Sequence, residues 1–478
     1  MLARRLARLI PRRSIASYAY TQGQNNSDLD ASLLSVLKER GLVSNVTSED
    51  LDKVISKESL TVYCGADPTA KSLHVGNMMP LMILLHFYIR GHNLLPLVGG
   101  ATGQVGDPSG RTTERTRLVD DEREDNVMRI QSQMGQFFER ASEYASTRGY
   151  VGKRGDLKPL NNAEWWKGVS FLGFLGTYGR HIRVGHMLAR ESVKARLNSE
   201  QGIGFNEFAY QVLQAYDFWH LFKTYNCRIQ VGGNDQWGNI TAGIDLISRL
   251  RSHLDKKDPK HNQDAYGITV PLLTTPSGEK FGKSAGNAVW LDKALTKPYD
   301  LYQYFIKAPD SVVESYLKLF TLIPLEEIPE VMEKHRQDES LRYAQRVLAS
   351  EVTDLIHGSG AGQRSQLISA ILFPIPGDQH VADSSASEIL NAFEAEGLVK
   401  EIPKSDLLGQ PWKFVLATAL GKSKSEAGRL LKGGGVYVGL ERANVRNEET
   451  FQTSHLVDDS LLLIRVGKGN YTVVRAIN

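Results

Sequence analysis

Residues 60–103 read LTVYCGADPTAKSLHVGNMMPLMILLHFYIRGHNLLPLVGGATG, and this stretch decides the architecture. Residues 60–64 are apolar, aromatic and β-branched and are closed by Gly65, which predicts a short buried strand. Asp67-Pro68 opens a loop. Residues 74–90 then predict a helix that stops at Gly91. Residues 94–98 predict a second buried strand leading into the turn Gly99-Gly100-Ala101-Thr102-Gly103. Strand, turn, helix and strand in that order make the βαβ unit of a parallel sheet.

The alternation returns downstream. Residues 205–222 predict a helix, 228–231 a strand, 239–250 a helix and 268–273 a strand, with a polar loop at 251–264. Two βαβ halves separated by an insertion predict a Rossmann-type, doubly wound α/β domain over residues 28–296. From residue 297 to 372 the periodicity is helical only, at 299–306, 312–319, 325–336 and 340–357, which predicts a separate all-helical domain. A Pro/Gly break at 373–378 opens a stretch, 373–410, expected to be a loosely packed linker. Residues 411–478 then predict a small α+β domain.

A chain of 478 residues is too long for one core, and 41% hydrophobic with 23% charged residues is ordinary for a globular protein. The longest apolar stretch, 78–89, is interrupted by Pro80 and His86 and is too short to span a bilayer, so no membrane partner is expected. Cys64 and Cys227 are the two cysteines, too few for a tetrahedral zinc cage or a disulfide framework. Residues 1–27 carry Arg4, Arg5, Arg8, Arg12 and Arg13 and no acid. On a helical wheel four of those arginines oppose Leu2, Leu6 and Leu9, the pattern of a mitochondrial transit peptide. A basic tail touching RNA has the same composition. Residues 411–478 hold ten Lys/Arg against six Asp/Glu, whereas the chain as a whole carries only +3. Contact with a polyanion is therefore expected to be strongest at that end.

The motifs add chemistry. His74-Val75-Gly76-Asn77 begins a predicted helix, where backbone N–H groups and the dipole favour phosphate. Gly76 lets a base approach the backbone, while His74 is equally suited to capping the helix. Lys280-Phe281-Gly282-Lys283-Ser284 follows a polar loop, and its two lysines suit a departing pyrophosphate. Between these motifs, Gly106-Asp107-Pro108-Ser109-Gly110 sets a carboxylate in a tight turn ahead of Arg111 and Arg115. Tyr210, Gln214 and Asp217 share one helix face, a poor core but a fit for an amino acid with a polar tip. Gly232-Gly233-Asn234-Asp235-Gln236 leaves a strand at the carboxyl edge of the sheet, where doubly wound folds bind ligands.

Together YCGxDPT with HxGN, LVGGATGxxGDPSG, YQxLQAYD, GGxDQWGNI and KFGKS resemble the bacterial and mitochondrial tyrosyl-tRNA synthetases, a class I aminoacyl-tRNA synthetase family. HxGN and KFGKS are similar to the HIGH and KMSKS elements of that class. The resemblance implies a homodimeric, ATP-dependent enzyme of the mitochondrial matrix that activates L-tyrosine and transfers it to tRNA(Tyr). Mg2+ is implied on the phosphates, with no tightly bound prosthetic group and no resident metal site. Carried over residue by residue, Tyr63 and Asp217 would hold the phenol hydroxyl. Asp107, Tyr210, Gln214 and Gln236 would hold the rest of the tyrosine. Cys64, Asp67, Thr69, His74, Asn77 and Asp235 would line the ATP site, and Lys280, Lys283, Arg111 and Arg115 would grip the pyrophosphate. Two departures stand out: Asn77 replaces the commoner final His, and Arg111 stands where the family more often has Lys. The helical domain would read the anticodon, and residues 411–478 would bind RNA. Phe205 falls at the family's dimer interface, and the apolar run 165–176 is a second candidate interface or simply core. Two readings stay open beside this one: a tryptophanyl enzyme of the same architecture, and an RNA-binding factor in group I intron splicing.

Overall fold

The computed structural model describes residues 26–110, 113, 119–200, 202–251, 263–274, 281–284, 287–373, 384–446, 449–467 and 470–478. Residues 1–25, and with them nearly all of the expected transit peptide, lie outside this set. So do Arg111, Arg115, Lys280 and the side chain of Lys283.

Six strands make the first sheet: β1 (Asn45–Val46), β2 (Thr61–Ala66), β3 (Asn93–Val98), β4 (Leu160–Asn161), β5 (Cys227–Gly233) and β6 (Tyr266–Val270). Their order is β1-β6-β5-β2-β3-β4. All neighbours are parallel except β1 on β6. The chain moves outward through β3 and β4 in one direction and through β6 in the other. The reversal falls between β2 and β5, so a crevice must open above their carboxyl ends. Both expected βαβ crossovers are present: α1 (Met78–Ile89) joins β2 to β3, and after the insertion α3 (Phe205–Tyr225) enters β5 and α4 (Trp237–Arg251) leads to β6. The insertion contains a long helix, α2 (Asp120–Thr147), that the sequence reading did not mark.

Alternation along β2 decides what faces where. Val62 and Cys64 point into the core that holds Leu84 and Phe87 of α1, while Tyr63 points to the opposite face, among Leu97, Phe218 and Trp219. The helix α1 is buried on nearly every side, because it lies between the sheet and a second layer of helices. That layer is α5 (Pro298–Ile306), α6 (Asp310–Phe320), α7 (Ile328–Gln337), α8 (Tyr343–His357) and α9 (Ala361–Leu372).

These helices were expected to form a separate domain. Their buried residues Leu301, Phe305, Leu317, Phe320, Leu348 and Val352 instead belong to one continuous core with the sheet. Charged groups seal the seam. Arg148 pairs with Glu351, which also accepts from the Tyr144 hydroxyl. Arg40 donates to Asp28 at 2.5 Å and to the carbonyls of Thr321 and Ile323 at 2.9 and 2.7 Å.

The linker expectation also changes. Within 373–410 the chain forms α10 (Ala386–Ala395) and β9 (Val399–Pro403). The strand β9 pairs in parallel with the last strand, β13 (Asn470–Ile477). It completes a sheet of order β11-β10-β12-β13-β9 that also holds β10 (Val436–Val438), β11 (Ala443–Asn444) and β12 (Leu461–Val466). The helices α11 (Trp412–Leu420) and α12 (Lys424–Lys432) cover it around Trp412. The C-terminal unit therefore begins before residue 411. The break itself, at 374–383, lies outside the described residues.

Because both partners of the Arg40–Asp28 pair are shielded from water, removing one leaves the other charged and unmatched. Arg40→Ala should cost about 3–5 kcal/mol of unfolding free energy, read from the midpoint and slope of a urea titration.

Candidate functional site

Above the β2/β5 reversal lies a cleft of about 440 Å³. Its lining includes Tyr63, Cys64, Asp67, Thr69, His74, Asn77, Asp107, Tyr210, Gln214, Asp217, Asp235 and Gln236. Every described residue that the sequence reading assigned to tyrosine or ATP thus converges on one crevice. The segments arrive there for local reasons. Asp67 follows the last residue of β2, and Asp235 lies two residues past the last residue of β5. Tyr210, Gln214 and Asp217 project from one face of α3.

At the phenol end, the buried Asp217 carboxylate accepts three hydrogen bonds: from Asn162 Nδ2 at 2.9 Å, Trp165 Nε1 at 2.7 Å and Trp166 Nε1 at 2.8 Å. Burial raises the Asp217 pKa to about 7 even though the three donors pull it down. Tyr63, whose ring lies 5.2 Å from Phe218, is also fully buried. Its hydroxyl has no hydrogen-bond partner among the described residues. Burial first, and the Asp217 charge second, hold that phenol well above its ordinary pKa, so it stays protonated.

A chain of hydrogen bonds runs inward from Asp217. Asn162 Nδ2 also donates to Thr102 Oγ1 at 3.0 Å, Thr102 Oγ1 donates to Asp67 Oδ1 at 3.0 Å, and Tyr210 donates to Asp67 Oδ2 at 2.9 Å. The Asn162 Oδ1 is fixed by the Ala101 N–H at 2.7 Å, so the amide has one orientation. A second group centres on Asp107, which accepts from Gln236 Nε2 at 2.7 Å and from the Ser109 N–H at 3.0 Å. Asn239 Nδ2 lies between Gln214 Oε1 at 3.2 Å and Gln236 Oε1 at 3.1 Å.

At the other end, His74 caps a short turn. The Gly76 N–H donates to His74 Nδ1 at 3.0 Å, and the His74 N–H donates to Asn77 Oδ1 at 3.0 Å. His74 therefore caps the turn while lining the cleft, and Asn77 is the reciprocal cap. The segment after the second signature motif lies directly on this turn. The Val75 N–H donates to the Val289 carbonyl at 2.9 Å, and the Leu291 N–H to the Leu73 carbonyl at 2.8 Å. A methyl group on Gly282, whose φ is +90°, would come within 2.7 Å of the Gly76 nitrogen. The two motifs, distant in sequence, meet main chain to main chain.

Cys64 lines the cleft, but its thiol is pushed up to about 12 by burial and is not a nucleophile. Asp235 is exposed and lies against Gly110. Asn162, Trp166, Thr102 and Asn239 received no role from the sequence. Asn239 sits inside a quoted motif, but Asn162 and Trp166 come from the insertion, where only the apolar run 165–176 was noted. That run divides: Trp165 and Trp166 turn inward to Asp217, whereas Phe171 and Leu172 face solvent at 65% and 79% exposure.

Residues 56–373 match the tRNA synthetases class I (W and Y). The mitochondrial tyrosine–tRNA ligase of Saccharomyces cerevisiae is 45% identical over 454 residues, covering 94% of this chain and 89% of that one. The tyrosine–tRNA ligase of Staphylococcus saprophyticus is 39% identical over 447 residues, covering 92% and 98%. Among solved structures, a C-terminally truncated Aspergillus nidulans mitochondrial tyrosyl-tRNA synthetase matches with a TM-score of 0.65 at 37% identity, over 72% of this chain and 94% of that one. The chain belongs to the class I tRNA synthetases of the tryptophan and tyrosine type. Within that class, its likeness to the tyrosine branch runs nearly from end to end.

The Asp217 pKa gives a signed expectation. Its folded value, about 7, exceeds the ordinary 3.8, so its protonated form stabilises the fold. That contribution is complete below the ordinary value and is lost as pH rises through the folded one. Thermal melts between about pH 4 and about pH 7 should show a component falling with pH that is absent in Asp217→Asn.

Proposed function

We propose that this chain is a tyrosine–tRNA ligase that activates L-tyrosine with MgATP and passes it to tRNA(Tyr) in mitochondria. The observation that carries this reading is that the buried Asp217 carboxylate and the buried Tyr63 hydroxyl, which has no partner among the described residues, line the same cleft. A phenol entering there donates its O–H to Asp217 and accepts from Tyr63, so both buried groups are satisfied at once. Phenylalanine leaves both unmatched. The tyrosine ammonium fits beside Asp107, Tyr210 and Gln214, with Gln236 and Asn239 orienting Asp107.

No general base is required, because the tyrosine carboxylate is already a nucleophile. One carboxylate oxygen forms a bond to the α-phosphorus of ATP, and the bond from that phosphorus to the bridging oxygen breaks, releasing pyrophosphate. The protein contributes position and charge. With Nδ1 accepting from Gly76, the His74 ring carries its proton on Nε2, where it can donate to a phosphate oxygen. Thr69, Asp67 and Asp235 line the nucleotide side, and Lys280, Lys283, Arg111 and Arg115 supply cations for the leaving pyrophosphate. In the second step a ribose hydroxyl of the tRNA takes the tyrosyl group, and AMP leaves.

The helices α5 to α9 suit anticodon binding. The C-terminal unit suits RNA, with Lys422, Lys424, Arg429 and Lys432 exposed on and beside α12. Names given to relatives, together with the arginine-rich residues 1–27, support mitochondrial import, and the matrix is where tRNA charging would occur. Phe171, Leu172, Val184, Leu188, Leu197 and Phe205 are large apolar side chains exposed in the single chain, which supports a homodimer.

Tyrosine-dependent ATP–pyrophosphate exchange, run beside tryptophan, tests the reading; exchange driven by tryptophan alone would overturn it. In the same assay Asp217→Ala should raise KM for tyrosine about 10–100-fold and leave KM for ATP nearly unchanged. Light scattering on the Phe205→Glu variant, with Phe205 73% exposed in the single chain, should show a monomer where the parent protein is a dimer.

A further inference from the structure

The second signature motif is gripped from the helical layer. Phe281 is buried in a cage of four rings: it stacks on Phe320 at 5.2 Å and 8°, with Tyr316 at 5.1 Å, Tyr304 at 5.8 Å and Phe305 at 6.3 Å. All four come from α5 and α6. The next peptide is held by a polar contact, in which the Gly282 N–H donates to the Tyr304 hydroxyl oxygen at 3.2 Å. On its other side Gly282 presses against Gly76, and its carbonyl accepts from the Val289 N–H at 2.9 Å. The Phe281 N–H donates to the Leu273 carbonyl at 3.1 Å, beyond the end of β6. One dipeptide thus touches the sheet, the His74 turn and the helical layer. Ring packing holds the Phe281 side chain against the helices, and among the described residues the Tyr304 hydroxyl is the polar group of the helical layer that holds the Gly282 peptide. Burial pushes the Tyr304 phenol up to about 12, so its oxygen remains a neutral acceptor across the physiological range.

We infer that Tyr304 is a positioning residue for amino-acid activation: by fixing the Gly282 peptide it sets the path of the main chain that leads into Lys283, the next residue. The inference rests on the activity proposed above. It makes the rate of adenylate formation depend on the packing of α5, a helix of the layer proposed to read the anticodon. Any rearrangement of that layer that moved the Tyr304 hydroxyl would be felt at the pyrophosphate end of the cleft and not at the phenol end.

The test is Tyr304→Phe, which keeps the ring and deletes the acceptor. In the full chain, kcat for tyrosine-dependent ATP–pyrophosphate exchange should fall about five- to tenfold, with KM for tyrosine and the melting temperature unchanged. Hydrogen exchange followed by mass spectrometry should show faster exchange in the peptide beginning at Phe281. An unchanged kcat overturns the inference whatever the hydrogen exchange shows. A fall in kcat with unchanged amide protection, or with a lowered melting temperature and a raised KM for tyrosine, also overturns it, since the effect would then travel by another route. If the parent protein shows no tyrosine-dependent exchange, the proposed activity fails, and the amide protection alone decides whether Tyr304 holds the Gly282 peptide.

Discussion

Two glycine peptides, at Gly76 and Gly282, meet across a gap that admits no methyl group, and much of the molecule is arranged around that meeting. A side chain at either position would push the two signature motifs apart. With both positions bare, the turn capped by His74 and the segment ending at Leu291 join through main-chain hydrogen bonds. Main-chain contact holds geometry more tightly than contact between long cationic side chains, which keep rotameric freedom. This end of the cleft is therefore held together by main chain.

The opposite end of the cleft follows a different principle. Asp217 is costly to bury as an ion, and its raised pKa expresses that cost. Three N–H donors hold the carboxylate in one orientation without neutralising it. Through Asn162 and Thr102 the same network reaches Asp67 and Tyr210, tying β2, α3 and the insertion into one set of hydrogen bonds. A polar network of this kind is rigid when every member is satisfied. Beside this network the Tyr63 hydroxyl is buried with no partner among the described residues, the observation on which the proposed choice of a hydroxyl-bearing ring rests.

The fold was legible where the signals were local. Strands β2, β3, β5 and β6 are short apolar runs bounded by glycine or polar turns, and Gly91 stops α1 with a φ of +88°. The site was legible where a motif carried its own spacing, as with Tyr210, Gln214 and Asp217 on one helix face. What stayed hidden depends on distant partners. Nothing in the sequence around Trp166 signals that its indole reaches Asp217, and nothing around Tyr304 signals Gly282. The boundary at 410 was misplaced for a physical reason: β9 is mostly exposed, with Ile402 as its one buried side chain. A strand whose stability comes from pairing with β13 lacks the apolar pattern by which strands are recognised. The helices α5 to α8 were read as helices but as independent of the sheet, because periodicity reports which face is buried and not against what.

The pairing of β9 with β13 carries a consequence for how the molecule divides. A cleavage at residue 411 would strip one rail from the C-terminal sheet and leave β13 as an open rim of unpaired amides and carbonyls. Rims of that kind recruit strands from neighbouring chains. A fragment that starts ahead of Ala386 keeps β13 paired and leaves at the rim the short, charged, proline-ended strand β9, a poorer template for a neighbour's strand.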